Sequence, residues 1–268
     1  MVEQVFTDIK DVKALVYFLV ISVARPSGFM TGFVLINFMI KRSMMMRTVI
    51  GISLGLPIMV ANLGPINDIF SNGTLFDRTF LPAKELVIGF AIGTLASLPF
   101  LAFKYAGHTC DSFRLESSNQ LPFVGNETAT TGSLLFFLIF AATFVMNGGL
   151  WYLMKTFYGS YLIWPLDAYL PPFRQGAVAI IVDQLLALFM QMIRVGLPFM
   201  LILFTVEFFL IIAARIARRF GLGSLTQLLK NLAFVTVLPL YAMFLARVAD
   251  TSDRAVFDAT GIFSEIFR

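Results

Sequence analysis

Two long apolar runs, residues 84–106 and 132–153, flank a polar stretch of 25 residues, and this pattern limits what the chain can fold into. Each run is long enough to cross the hydrocarbon layer of a bilayer, which takes about 20 helical residues. Soluble domains are about 25% charged. This sequence is only 13% charged and is 58% hydrophobic. We therefore predict an all-α, polytopic membrane protein with kinked helices and a long polar loop between its third and fourth spans.

The hydropathy pattern predicts about six apolar spans. For the first span, a cleaved signal peptide is the alternative, but the residues before it lack the positive charge that a signal peptide needs. The last two spans should form a helical hairpin. The predicted spans are 14–40, 48–66, 84–106, 132–154, 176–214 and 231–249.

Prolines and aromatic residues modify this pattern at three places. Pro26 removes a backbone donor and should kink the first span next to Arg25. Segment 176–214 is either one long kinked helix or two shorter helices that meet near Pro198. Segment 155–175 is rich in aromatic residues and proline, which is typical of the membrane interface.

The basic residues cluster beside the spans, mainly in segments 41–47 and 215–230. The positive-inside rule places both segments in the cytoplasm. The polar stretch 107–131 would lie on the same side, although its acidic residues outnumber its one basic residue, Arg114. A loop that folds back into the protein would resolve this conflict.

Glycines recur at a spacing of four residues in the first three spans. This spacing lets helix backbones approach closely in a membrane, where no hydrophobic force drives helices together. We predict close helix packing at the pairs Gly28/Gly32, Gly51/Gly55 and Gly89/Gly93.

Polar residues inside apolar spans are costly and usually face protein or water. Lys84, Glu85 and Lys104 lie at the ends of the third span, where we expect an interfacial position. Five further residues are predicted to form a buried polar stripe that pairs with neighbouring subunits, with an ion or proton relay as the alternative. They are Asp183, Gln184, Gln191, Arg194 and Glu207.

The sequence lacks the motifs of several enzyme classes. It contains no phosphate-binding G-x-x-x-x-G-K-[ST] loop. Its one histidine, His108, lies near its one cysteine, Cys110, and no other residue supports a catalytic pair. We predict no enzymatic activity, no cofactor and no metal site. The small net charge of +4 is concentrated beside the spans, so no nucleic-acid partner is expected.

Several residues resemble the flagellar FliR and injectisome SctT export-gate proteins of type III secretion systems. In segment 106–111, Ala106-Gly107 precedes Asp111 by the family's spacing. The sequence departs from the family at Arg114-Leu115-Glu116 and at 218–223, so it resembles a divergent, injectisome-like member. The other matching positions are Arg25, Pro57, Lys84, Glu85, Gly89, Gly93, Gly148, Gly149, Leu150, Ser160, Tyr161, Pro165 and Lys230.

This resemblance implies a structural and gating subunit of the export gate in the bacterial inner membrane, within the base of the secretion system. The subunit would help to form a pore that is closed at rest and through which unfolded proteins are exported. The implied partners are SctR/FliP-type and SctS/FliQ-type subunits and an SctU/FlhB-type switch protein. Residues 1–175 would be the SctR-like part, and residues 176–268 the SctS-like hairpin and tail. The rival interpretation is a small secondary transporter with a midplane polar site.

The resemblance also implies that the loop after the third span plugs the pore. Its bulky apolar side chains would exclude water, and its small polar side chains would let it move aside. A solvated linker is the alternative, because long loops sometimes have no other role. The predicted plug comprises Phe113, Arg114, Leu115, Glu116, Ser117, Ser118, Asn119, Gln120, Leu121, Pro122, Phe123, Val124, Gly125 and Asn126.

Overall fold

The computed structural model describes residues 12–40, 43–113, 120–123, 128–169, 177–216 and 228–248. Helices make up most of these residues, and one short β-hairpin joins two of them. The elements are α1 (Val12–Gly32), α2 (Val34–Ile40), α3 (Met44–Ala61), α4 (Leu63–Asn72), α5 (Leu75–Phe113), β1 (Gln120–Pro122), β2 (Thr128–Thr130), α6 (Thr131–Met146), α7 (Gly149–Ile163), α8 (Ala177–Ile216) and α9 (Leu228–Val248).

Four helices of the described residues, α1, α5, α8 and α9, are long and apolar enough to cross a membrane. The pair α6 and α7 passes the same test together, and Met45–Ala61 of α3 is a shorter apolar helix. The all-α fold class predicted from the sequence is confirmed.

The first span is interrupted at Phe33 and not at Arg25-Pro26, where α1 continues without a break. The reason is a side chain from α5. The hydroxyl of Ser97 accepts a hydrogen bond from the Val34 backbone N–H at 2.8 Å, and it lies 2.9 Å from the carbonyl oxygen of Gly32. Ser97 therefore takes the place of a backbone partner at the junction between α1 and α2.

The fourth span bends by 76° between α6 and α7. Gly148 lies at the bend with a φ of 74°, a conformation that glycine adopts without the steric cost that a Cβ imposes. Helix α7 then continues to Ile163, so the first part of segment 155–175 is helical. In α8, the alternative of one long helix holds, because it runs without a break through Pro198.

The polar stretch 107–131 is more ordered in its described parts than its sequence pattern indicates. Helix α5 extends to Phe113, and β1 pairs with β2 in an antiparallel hairpin. The pairing joins Gln120 to Thr130 and Pro122 to Thr128. The predicted loop therefore begins with the last turns of α5 and contains two short paired strands, while 114–119 and 124–127 lie outside the described residues.

The described residues form two compact units. One contains the chain up to Ser97 together with Leu153–Ala177, and the other contains Leu98–Tyr152 with α8 after its first residue and α9. Aromatic side chains fill both cores. The second unit buries a layer of fully inaccessible phenylalanines: Phe100, Phe103, Phe136, Phe137, Phe140, Phe144 and Phe199. The predicted division of the chain after residue 175 stays a prediction.

Candidate functional site

A cluster of charged side chains is fully enclosed in the first unit. Arg25 of α1 donates from Nε to Glu85 Oε2 of α5 at 2.6 Å, and neither side chain is exposed. The remaining guanidinium nitrogens donate to Ser160 Oγ at 3.0 Å and to the Trp164 carbonyl at 2.9 Å. The guanidinium also stacks over the ring of Tyr161 at 3.8 Å. One arginine thus joins α1, α5, α7 and the residue that follows α7.

Lys84 completes the cluster and holds the turn after α7. Its Nζ lies 3.0 Å from Glu85 Oε1. It donates to the carbonyl oxygens of Pro165, Leu166 and Ala168 at 2.8–3.2 Å. These carbonyls lie in the turn after α7, and buried backbone acceptors outside a helix or a sheet need a donor from elsewhere. Lys84 therefore acts as a side-chain cap for the turn.

The predicted interfacial position of Lys84 and Glu85 was wrong. Lys84 is 7% exposed and Glu85 is not exposed. Burial of a charge is tolerated only when the charge is paired and hydrogen-bonded, and removing one partner of such a pair typically costs about 3–5 kcal/mol. The sequence did carry a signal for this cluster. Opposite charges lie inside two apolar spans, and charged residues in such spans often pair with each other.

The glycines of α1 and α5 lie against each other beside the ion pair. A Cβ on Gly89 would overlap the Arg25 carbonyl oxygen, and a Cβ on Gly28 would overlap the Leu86 carbonyl oxygen. One turn further along, Gly32 and Gly93 approach in the same way. The two backbones are in direct contact over two turns, so any side chain at these positions would push the helices apart.

The third glycine pair is less constrained. A Cβ on Gly55 of α3 would lie 3.0 Å from the Ser22 carbonyl oxygen of α1, which is tight. A Cβ on Gly51 would make only ordinary contact with Val23, at 3.5 Å. Pro26 removes the helical donor that the Ser22 carbonyl would otherwise meet, and Gly55 packs at that carbonyl. A role of any of these glycines in subunit assembly stays a prediction.

In the second unit, Asp111 joins the end of α5 to the start of α6. Its buried carboxylate accepts a hydrogen bond from the Gly132 backbone N–H at 2.5 Å. The first N–H groups of a helix lack helical acceptors, and a negative charge is favoured there. Gly107 makes this approach possible, because a Cβ there would overlap the Gly132 carbonyl oxygen. These two contacts fix both ends of the polar stretch.

Phe123 anchors the described part of the predicted plug. It is 8% exposed and packs edge-on against Phe137 of α6, with ring centroids 4.9 Å apart. The ammonium group of Lys104 lies 4.0 Å from the Phe123 ring centroid. A desolvated cation over an aromatic face contributes about 2 kcal/mol. Lys104 is 6% exposed, so its predicted interfacial position was wrong as well.

The other plug residues differ in their environment. Leu121 of β1 is 39% exposed, two residues from the anchor. Phe113 belongs to the last turn of α5, so the helix enters the predicted plug. Gln120 and Pro122 lie in β1. Residues 114–119 and 124–126 lie outside the described residues. That this segment closes a pore stays a prediction.

The predicted buried polar stripe is not buried within the chain. Asp183 and Arg194 are exposed, and Gln191 is partly exposed. Glu207 forms an ion pair with Lys230 of α9, with 2.6 Å between Oε1 and Nζ. Asp183 and Arg194 are 11 residues apart on one helix, about 16 Å, so they cannot pair with each other. The side chain of Gln184 lies outside the described residues.

The one histidine and the one cysteine of the sequence do not form a reactive pair in the structure. Among the described residues, no group of three or more His, Cys, Asp or Glu side chains could hold a metal ion. His108 is exposed and Cys110 is buried, with its Sγ 3.9 Å from the Gly196 carbonyl oxygen. Residues two apart on a helix do not face each other, so these two do not form a nucleophilic pair.

Long apolar helices, glycine-mediated crossings and enclosed ion pairs define a polytopic helical membrane protein. The chain belongs to the family described as Bacterial export proteins, family 1, whose model matches residues 16–253. This is the family of the FliR and SctT export-gate proteins. The protein is therefore a membrane-embedded component of a type III secretion export apparatus, and other subunits of that apparatus are its partners.

Individual relatives agree with this assignment. The chain is 25% identical over 185 residues to Yop proteins translocation protein T of Yersinia pestis, covering 68% of this chain and 70% of the relative. It is 27% identical over 162 residues to Surface presentation of antigens protein SpaR of Shigella flexneri, covering 59% of this chain and 61% of the relative.

Residues that carry the resemblance in the sequence meet in the structure. Arg25, Lys84, Glu85, Ser160 and Tyr161 come from three separate helices, and all belong to the enclosed cluster. In the second unit, Gly107 and Asp111 form one contact with the start of α6. Seven of the scattered matches therefore lie at two packing sites.

Proposed function

We propose that this protein is a structural and gating subunit of the type III secretion export gate in the bacterial inner membrane. It helps to form a pore for unfolded exported proteins, and segment 113–126 keeps this pore closed when no protein is exported. Its partners are SctR/FliP-type and SctS/FliQ-type subunits, with an SctU/FlhB-type switch protein in the same complex. Family membership supports the assignment to the export apparatus, and the packing of Phe123 on α6 supports the gating role of the segment.

The anchoring of Phe123 is the observation that carries the gating proposal. A closure element needs a defined resting position, because water passes through any gap that its apolar groups leave. Phe123 supplies this position by packing on Phe137 beneath the charge of Lys104. Other parts of a closure element must move aside, and elements that move bury little surface. Leu121, which is 39% exposed, is typical of such a part.

The two buried cations of the first unit, Arg25 and Lys84, argue for a structural role over a carrier. A secondary transporter needs polar groups at its midplane that are free to bind a substrate or an ion. In the described part of the chain, Arg25 and Lys84 use their donors on Glu85, Ser160 and backbone carbonyls. Such groups stabilise helix packing and have little capacity left for a substrate.

The gating proposal is tested with Phe123→Ala and the control Leu138→Ala, a side chain of α6 that is 40% exposed and lies outside segment 113–126. Each variant is co-expressed with the SctR-type and SctS-type subunits, purified as a complex and reconstituted into vesicles that contain a fluorescent small solute. We expect Phe123→Ala to raise the leak of solute several-fold in an assembled complex, because the anchor is lost. Leu138→Ala should leave the leak unchanged. An assembled Phe123→Ala complex that is as tight as the wild type would contradict the gating role.

A further inference from the structure

The Phe123 ring is held by two neighbours in the second unit. Phe137 of α6 meets it edge-on, with 86° between the ring planes and 4.9 Å between the centroids. The ammonium group of Lys104 of α5 lies over its face, 4.0 Å from the centroid. Lys104 is 6% exposed and Phe137 is fully buried, so the cation and the two rings meet in a place that excludes water.

Of these two contacts, the one with Lys104 fixes the orientation of the ring. Aromatic pairs are stable both stacked and edge-on. Phe140 of α6 shows this, since it stacks on one buried phenylalanine and meets another edge-on. A cation, in contrast, is attracted to the negative face of a ring and not to its positive edge. The face of Phe123 therefore stays turned toward Lys104, and any rotation or shift of the ring weakens the attraction.

The backbone that carries each partner is fixed close to the contact. Lys104 lies two helical turns before Asp111, whose carboxylate accepts the Gly132 N–H at the start of α6. The strand that precedes Phe123 pairs with β2, which leads into α6. The cation and the ring thus have a defined starting position, and the attraction between them decides how readily the ring leaves it.

Exclusion of water makes this attraction strong. In a desolvated site, a contact between a cation and an aromatic face contributes about 2 kcal/mol, which corresponds to a factor of about 30 in the ratio of anchored to released ring. At a hydrated site the factor is only about 2–5. Once the ring begins to leave and water reaches Lys104, the attraction falls. The contact therefore favours two states, a dry anchored state and a wet released state, over intermediate positions.

We infer that Lys104 is the positioning residue of the predicted plug, and that its charge, acting through the face of Phe123, sets how firmly segment 113–126 stays closed. This inference rests on the proposed function and adds the interaction that regulates it. If apolar burial alone held Phe123, the charge of Lys104 would have no effect on closure. The two explanations differ in one measurable property, which is the dependence of closure on the charge distribution of the ring.

The test changes the ring and leaves its size nearly unchanged, because Lys104 takes part in a further interaction that its own substitution would also disturb. Phe123 is replaced by phenylalanine analogues with three and with five ring fluorines, which progressively remove the negative charge of the face that attracts a cation. Each chain is assembled with the SctR-type and SctS-type subunits, and the leak of solute from vesicles is measured beside Phe123→Ala. We expect the leak to rise several-fold with fluorine number, toward the Phe123→Ala value.

The same analogues in a Lys104→Met chain are the matched control, since methionine is apolar and of similar length. In that chain the leak should not depend on fluorine number. Lys104→Arg keeps a cation and should retain the dependence. Recovery of the assembled complex is measured for every chain, so that leaks are compared only between complexes of the same composition.

Two results would overturn the inference and leave the gating proposal intact. One is a leak that is the same for phenylalanine and both analogues at position 123 while the Phe123→Ala complex leaks. The other is an equal rise with fluorine number in the Lys104→Met chain, since the fluorines would then act without the charge. If the Phe123→Ala complex is as tight as the wild type, the gating proposal itself fails, and this inference fails with it.

Discussion

Arg25 and Glu85 form an ion pair at 2.6 Å across 60 positions of sequence, and both side chains are completely buried. The pair lies beside the crossing of α1 and α5, where Gly89 packs on the carbonyl of Arg25 itself. Charge pairing and close backbone contact therefore occur at one residue. Since an offset of either helix would break both, this arrangement specifies how the two helices align.

The first prediction concerns this pair. Arg25→Ala should lower the free energy of unfolding by about 3–5 kcal/mol, because it leaves the Glu85 charge buried without its main partner. The double change Arg25→Met with Glu85→Met should recover part of the loss, since two apolar side chains need no pairing. Both are measured as thermal unfolding midpoints in detergent. Arg215→Ala, an exposed site, is the control, and a midpoint for Arg25→Ala equal to that control would refute the role assigned to the pair.

The second prediction compares two glycines inside helices. Gly89→Ala should destabilise the protein, because its Cβ would overlap the Arg25 carbonyl oxygen. Gly159→Ala of α7 meets nothing within 4 Å, so it should be neutral or stabilise by up to about 1 kcal/mol through helix propensity. The measurement is again the unfolding midpoint. Equal effects of the two substitutions would mean that α1 and α5 do not touch at Gly89.

The third prediction concerns Asp111. Asp111→Ala should lower the free energy of unfolding by about 1–3 kcal/mol, because the buried Gly132 N–H loses its acceptor. The loss should be local and detectable as faster hydrogen exchange at the start of α6. Ser112→Ala, at an exposed neighbour, should leave exchange unchanged. Unaltered exchange at residues 131–135 in Asp111→Ala would show that the carboxylate does not hold the start of the helix.

Hydropathy alone was enough to predict the fold class. In a bilayer, an apolar segment can satisfy its backbone hydrogen bonds within itself only by forming a helix, and this holds wherever the segment lies in the chain. The spacing of Gly28, Gly32, Gly89 and Gly93 likewise indicated where helices could touch. It could not name the partner helices, since spacing is a local property. The structure shows that α1 and α5 are the two helices that touch at these four glycines.

The environment of charged residues was decided only by tertiary structure. Lys84 and Lys104 had the sequence pattern of interfacial lysines, yet both are buried, because a carbonyl-rich turn and an aromatic ring reach them from distant segments. Arg194 shows the reverse, because its sequence pattern favoured burial but its side chain is exposed within the chain. Hydrophobic patterns record only that a residue avoids water. Whether a helix, a loop or another subunit provides the cover depends on contacts between residues far apart in sequence, and these form only when the helices pack.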